Sequence, residues 1–210
     1  LPCGGTQGAG PFHSQLPDLW TTHHPGLVVV APSTPADAYH QMRLAIAHDD
    51  PVIMCEHKHL YFHAKGSVPA APDLPLGRAA VRRAGSDCTV VAWGALQHDA
   101  LEAAEALQRE AGIDIEVVDP RCIKPLDVET LLASLARTGH LLVVSEDFPF
   151  GAVAAEICAQ AADAGFTLLD APPRRLTGRE TPIPYHPDLW RAHKPQVADI
   201  VRAVRDLVRF

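Results

Sequence analysis

The sequence predicts an α/β protein made of two successive domains, each built on a parallel sheet. Three observations carry this. Short β-branched runs of strand length alternate with longer Ala, Leu and Glu segments of helical period. The links between them are short and punctuated by Gly, Pro and Asp. One stretch poor in large apolar side chains, Lys65 to Pro72, interrupts the alternation and reads as a semi-rigid connector. We therefore divide the chain into residues 1–65, a linker at 66–76 and residues 77–210.

The 210 residues are 47% hydrophobic and carry a formal net charge of -7, enough apolar material for two cores and the wrong sign for a nucleic-acid surface. Cys3, Cys55, Cys88, Cys122 and Cys158 are an odd, widely spaced set without a CxxC pair. That pattern fits buried free thiols in a reducing compartment better than a disulfide framework or a zinc site. The longest apolar runs are strand length, with no span or signal peptide, so the chain is read as soluble and cytoplasmic.

In the first domain, Leu27 to Ala31 is a β-branched run bounded by Pro25-Gly26 and Pro32, as a buried strand requires. Ser33-Thr34-Pro35 supplies a hydroxyl cap and a first-turn proline, and Asp37 suits a helix N-terminus. Ala38, Met42, Ala45 and Ile46 share one face of that helix and are expected to be its buried side. Asp49-Asp50-Pro51 ends it, and Val52 to Cys55 is the next strand. In the second domain, strands are expected at Arg78–Arg83, Cys88–Trp93, Ile113–Val118 and Leu141–Ser145. Helices are expected at Asp99–Glu110, Val128–Thr138, Gly151–Ala164 and Val197–Val208. Asp119 to Asp127 reads as a polar loop, and Trp190, Val201, Val204, Leu207 and Phe210 as core or interface residues. Alternation with short links argues right-handed crossovers.

Four places carry chemistry-bearing residues. Gly4 to Gln15 packs four glycines into its first seven residues and then presents His13 beside Ser14 and Gln15, a loop able to deliver a titratable imidazole. His57, His59 and His63 sit close together, but no cysteine or carboxylate at suitable spacing completes a tetrahedral metal set, so they are read as solvated or interface residues. Gly94-Ala95 follows a strand without a GxGxxG or Walker pattern. Glu146-Asp147 would suit acid–base work if buried, and is expected to be a solvated loop.

Three segments then occur in a telling order: Gly10-Pro11-Phe12-His13-Ser14-Gln15, the run from His24 to Ala38, and Thr181-Pro182-Ile183-Pro184-Tyr185. They resemble the GPxHSQ, HxPGLxVVxPSxPxDA and TPxPY segments of the beta chain of the thiamine-diphosphate-dependent decarboxylating component of 2-oxo acid dehydrogenase complexes. The resemblance runs almost to the last residue. It implies an incomplete transketolase-like pyrimidine-binding domain followed by a transketolase C-terminal domain, the chain lacking an N-terminal part.

The activity implied is oxidative decarboxylation of a 2-oxo acid, with the acyl group passed to a lipoyl group on the transacylase component. Glu56-His57-Lys58, Lys65-Gly66-Ser67-Val68-Pro69 and Ser145-Glu146-Asp147 lean towards branched-chain acids (2-oxoisovalerate type) over pyruvate. His13 matches the catalytic histidine, while Ser14 and Gln15 orient its loop. Thiamine diphosphate and Mg2+ would be held jointly with an alpha chain in an α2β2 heterotetramer, with the aminopyrimidine-activating glutamate upstream of Leu1. The chain alone is therefore expected to bind cofactor weakly and not to turn over.

By the same analogy a monovalent cation, K+, is expected at Ala45, His48 and Asp50, although His48 stands where relatives often carry Asp. Asp119, Arg121, Pro182 and Tyr185 would serve subunit contacts, and the region near Phe210 would dock on the transacylase. A mitochondrial matrix location replaces the cytoplasm if the source is eukaryotic. Two alternatives stand beside this reading: a non-catalytic assembly or interaction fragment, and another transketolase-superfamily enzyme such as a transketolase or deoxyxylulose phosphate synthase. The latter would carry both cofactor domains in one chain and lack the HSQ loop followed by HHPGL.

Overall fold

A computed structural model of the chain describes residues 1–5, 8–71 and 74–210. Thr6 and Gln7 of the glycine-rich stretch, and Pro72 and Asp73 of the linker, lie outside the described residues.

The first part contains β1 (Pro2–Cys3), α1 (Gly10–His13), α2 (Asp18–Thr22), β2 (Val28–Val30), α3 (Pro35–Ile46), β3 (Val52–Met54), β4 (Glu56–His57) and α4 (Lys58–His63). The second contains β5 (Ala80–Arg83), β6 (Cys88–Ala92), α5 (Ala95–Ala111), β7 (Ile115–Asp119), β8 (Cys122–Lys124), α6 (Val128–Thr138), β9 (Leu141–Val144), α7 (Val153–Ala164), β10 (Arg174–Leu176), α8 (Pro187–His193) and α9 (Val197–Leu207). Among the described residues the strands form a five-stranded sheet of order β10-β9-β6-β7-β5, a three-stranded sheet of order β3-β2-β8, and the pair β1-β4.

The five-stranded sheet is parallel except at its edge, where β5 runs antiparallel to β7. All residues of β6, β7 and β9 are buried, because both faces are covered. Alternate side chains therefore enter opposite cores. Val90, Val117, Leu142 and Val144 meet Leu96, Ala100, Ala104 and Leu107 of α5 and Ile200, Val204 and Leu207 of α9. Val91, Val118, Leu141 and Val143 meet Leu131 and Leu135 of α6 and Ile157 and Ala161 of α7. This second core continues without a break into Cys3, Val29, Ala31 and Cys55 of the first part. The amphipathic period fixed these helices in sequence, and α6 begins where Asp127 accepts the Thr130 N–H at 3.1 Å. Of the five C-terminal apolar residues, Trp190, Val204 and Leu207 are buried, while Phe210 is exposed.

The two parts share a sheet. The segment Asp119–Asp127, expected to be a loop, contains β8, which crosses over and pairs antiparallel with β2. Buried Asp37 of α3 accepts from Arg121 Nε at 2.6 Å and also pairs with Arg82, whose Nη2 lies 2.9 Å from Asp119. Gln41 donates to the Arg121 carbonyl at 3.0 Å. Burial alone would push the Asp37 carboxyl up, but the Thr34 hydroxyl, Arg121 and Arg82 together hold it below its ordinary value.

This seam explains two departures from expectation. Helix α3 buries Asp37, His40 and Gln41, whereas Met42 and Ile46 are exposed, Ile46 by 78%. Its inner face meets a guanidinium and a strand backbone, which polar side chains satisfy and an apolar row could not. Asp119 and Arg121, expected at a subunit interface, are fully enclosed within the chain. Arg121 pairs with Asp37 of the first part, and Asp119 with Arg82 of its own part.

Candidate functional site

The glycine-rich loop leaves β1, which pairs in parallel with β4, and so starts above His57. Gly4 donates to the Gln15 carbonyl at 3.0 Å, closing the base of the loop. Gly5 donates to Glu146 Oε2 at 3.1 Å. A Cβ on Gly5 would lie 1.7 Å from the Trp190 ring, and one on Gly10 would lie 2.2 Å from the ring of Tyr185. Only glycine allows these close approaches. The Thr181–Tyr185 segment thus covers the loop of its own chain; Tyr185 and Pro182 remain exposed at its outer side.

Helix α1 carries His13 at its exposed end, next to Phe12, which is 85% exposed. Lys58 donates its ammonium to the His13 carbonyl, so the backbone under the imidazole is held from α4. Ser14 is buried and its hydroxyl has no hydrogen-bond partner among the described residues. Gln15 is half-buried, with its carbonyl on Gly4. Asp18 closes the segment: it is buried and accepts from Trp93 Nε1 at 2.7 Å. Burial pushes the Asp18 carboxyl up to about 7, the nearby Asp147 charge adds to this, and the Trp93 N–H opposes it.

Glu146 overturns its expected solvation. It is buried just beyond β9, with Oε1 3.2 Å from His57 Nε2 and Oε2 on the Gly5 N–H. Burial works against its charge, yet the His57 imidazole, Lys194 and the Gly5 N–H outweigh it and hold the carboxyl at about 2. His57 is likewise buried rather than solvated. His59 and His63 lie elsewhere, stacked at 3.9 Å along α4, so the three histidines do not converge. No group of three or more His, Cys, Asp or Glu among the described residues is placed to hold a metal ion. At the Ala45–Asp50 turn the Ala45 carbonyl accepts the His48 N–H at 3.3 Å and His48 Nδ1 accepts the Asp50 N–H at 3.1 Å, all in exposed surroundings. Gly5, Phe62, Glu146, Trp190 and Lys194 line a cleft of about 490 Å³ beside the loop.

The sequence carries one signal for the Glu146 pair. The residue follows the C-terminal end of a fully apolar parallel strand, where α/β sheets place their sites. Asp18 gave none, since nothing local announces that an acid next to Pro17 meets an indole far along the chain.

Two family models match the chain: the transketolase pyrimidine binding domain over residues 1–63 and the transketolase C-terminal domain over residues 77–200. The chain belongs to the transketolase family. Within that family its relatives include beta subunits of dehydrogenase components. It is 41% identical to the mitochondrial pyruvate dehydrogenase E1 component subunit beta-1 of Arabidopsis thaliana, over 96% of this chain and 56% of the relative. It is 38% identical to the 2-oxoisovalerate dehydrogenase subunit beta of Bacillus subtilis, over 100% of this chain and 64% of the relative. It is 42% identical to the acetoin:2,6-dichlorophenolindophenol oxidoreductase subunit beta of Cupriavidus necator, over 94% and 58%. This transketolase-family chain therefore spans little more than half the length of the curated relatives it matches. Its fold resembles a solved structure described as a split gene transketolase, inactive beta4 tetramer, with a TM-score of 0.79 at 24% identity, covering 99% of this chain and 66% of that one. Among the described residues, no helix is long and apolar enough to cross a membrane.

Proposed function

We propose that the chain contributes the beta-type half of a thiamine-diphosphate-dependent 2-oxo acid dehydrogenase site, completed by an alpha-type chain in an α2β2 assembly. The observation that carries this reading is the placement of His13: an exposed imidazole on a loop pinned from three sides, open to solvent rather than enclosed in a cavity of its own chain. A catalytic residue presented outward suits a site shared between two chains.

The residues present fit one wall of such a site. Beside His13 stand exposed Phe12 and the buried Ser14 hydroxyl, which has no partner among the described residues. The diphosphate and its Mg2+ belong, in this proposal, to the alpha-type partner. When bound, the thiamine group supplies the electron sink for decarboxylation. His13 gives and takes the proton needed as the acyl group passes to a lipoyl acceptor, a role that an imidazole fills because its ring nitrogens can both donate and accept. Ser14 and Gln15 hold the loop. Pro182 and Tyr185, exposed beside it, face the partner. A K+ ion at the Ala45–Asp50 turn would be held by oxygens of Ala45, His48 and Asp50, donors of the kind such a cation accepts. We place the domain division at 1–65, 66–76 and 77–210, and the assembly in the cytoplasm or mitochondrial matrix.

Relatives named for pyruvate, 2-oxoisovalerate and acetoin lie within four percentage points of one another in identity, so they do not rank the substrates. The lean to branched-chain acids rests on the Glu56-His57-Lys58, Lys65-Gly66-Ser67-Val68-Pro69 and Ser145-Glu146-Asp147 segments alone. The test is calorimetric titration of thiamine diphosphate with Mg2+ into the chain, with and without an alpha-type chain from the same source. Turnover of 2-oxoisovalerate, pyruvate and acetoin with an artificial electron acceptor follows. Binding and turnover only with both chains are expected; their absence in the mixture overturns the proposal.

A further inference from the structure

We propose that Glu146 and Trp93, both in the C-terminal part of the chain, are positioning residues that hold the His13 loop by its two ends. This rests on the assignment of His13 made above.

Strands β6 and β9 are parallel neighbours, paired from Thr89↔Leu141 to Ala92↔Val144. Trp93 follows β6 directly and Glu146 follows β9 by one residue, so the two side chains emerge together at one carboxyl edge of the sheet. Each takes one end of the loop. Glu146 Oε2 accepts the Gly5 N–H at 3.1 Å, while its Oε1 faces His57 at 3.2 Å. Trp93 Nε1 donates to Asp18 Oδ2 at 2.7 Å. Both contacts are buried, so neither exchanges freely with water. Beside the Gly5 anchor the loop is closed on itself by the bond from the Gly4 N–H to the Gln15 carbonyl. The C-terminal part therefore sets where the imidazole stands without touching it. The resemblance gave this part only contacts with other chains.

Burying a carboxylate and an imidazole is costly unless both serve a purpose that an apolar pair could not. Here an apolar pair could not accept the Gly5 N–H. It would leave the loop base without its tie to the sheet.

The experiment compares Glu146→Ala, Glu146→Gln and Trp93→Phe with the wild-type chain, each mixed with the alpha-type chain. Amide hydrogen exchange by mass spectrometry is read over Phe12–Gln15 and over β6, β7 and β9. The expected result for Glu146→Ala and Trp93→Phe is exchange about tenfold faster across the loop, with the three strands still protected. Turnover should fall about tenfold in kcat with the 2-oxo acid KM within about twofold, as misplacement of a catalytic group predicts. Glu146→Gln keeps an acceptor for Gly5 and should recover most of both. Unchanged loop exchange in both Glu146→Ala and Trp93→Phe overturns the proposal. So does loss of protection in the strands together with the loop, or a loosened loop with wild-type turnover. If the wild-type mixture shows no turnover, that failure falls on the functional reading, and the exchange comparison alone decides this one.

Discussion

Asp18→Asn exchanges a buried carboxyl for an amide of the same shape and leaves the oxygen that accepts the Trp93 N–H. The carboxyl is pushed from its ordinary 3.8 up to about 7, chiefly by burial. The native chain therefore binds this proton more tightly than the unfolded chain does. Between about pH 4 and pH 7 the folded state carries more protons, so stability falls as pH rises and levels off above about 7. At about 1.4 kcal/mol per pH unit, the charged carboxylate costs the fold up to about 4 kcal/mol at alkaline pH. Asn does not ionise. Its –NH2 group takes the place of Asp18 Oδ1, which has no partner among the described residues, and the cost of leaving it unpaired is the same at every pH. The informative quantity is thus the stability difference between variant and wild type, measured by urea denaturation at about pH 4.5 and about pH 8. It should move in favour of the variant by about 2–4 kcal/mol across that range. A difference constant to within about 0.5 kcal/mol would refute the burial argument, because the titration would then be the same folded and unfolded.

Three further outcomes follow from contacts already described. Gly5→Ala forces a Cβ into the Trp190 ring and should lower the stability measured by thermal denaturation by about 1–3 kcal/mol or more. His13→Ala, at an exposed site, should leave stability within about 0.5 kcal/mol of wild type while turnover of the two-chain mixture falls about 10²–10⁴-fold; a large loss of stability would remove His13 from the catalytic role. Asp37→Ala strips the buried Arg121 of its carboxylate and should cost about 3–5 kcal/mol in urea denaturation, and an effect below about 1 kcal/mol would show the seam to be loosely held.

What the sequence disclosed was local. The β-branched run at Val28–Val30 and the capped helix from Val128 to Gly139 were legible because their periods and end signals are contained in a dozen residues. Strand β8 was not, because Cys122-Ile123-Lys124 has no alternation and becomes a strand only by meeting β2. The face of α3 was read in reverse for a related reason: hydrophobicity locates the inside of a helix only when the inside is apolar, and here it holds Asp37 and Gln41. The same limit hid the site. His13 stands out through the glycine-rich stretch around it and the resemblance that stretch carries, whereas His57 and Glu146 acquire their character from each other, across the two parts of the chain. Arg174–Leu176 and Pro187–His193 likewise carry too little pattern to announce a strand and a helix.

Because β8 is woven into the sheet of the first part, the chain between Ala64 and Ala79 is not all that joins the two parts. Cutting it with a protease should yield two pieces that migrate together until denatured, since the backbone ladder and the Asp37–Arg121 pair would still join them. Neither half can swing away from the other without breaking that ladder.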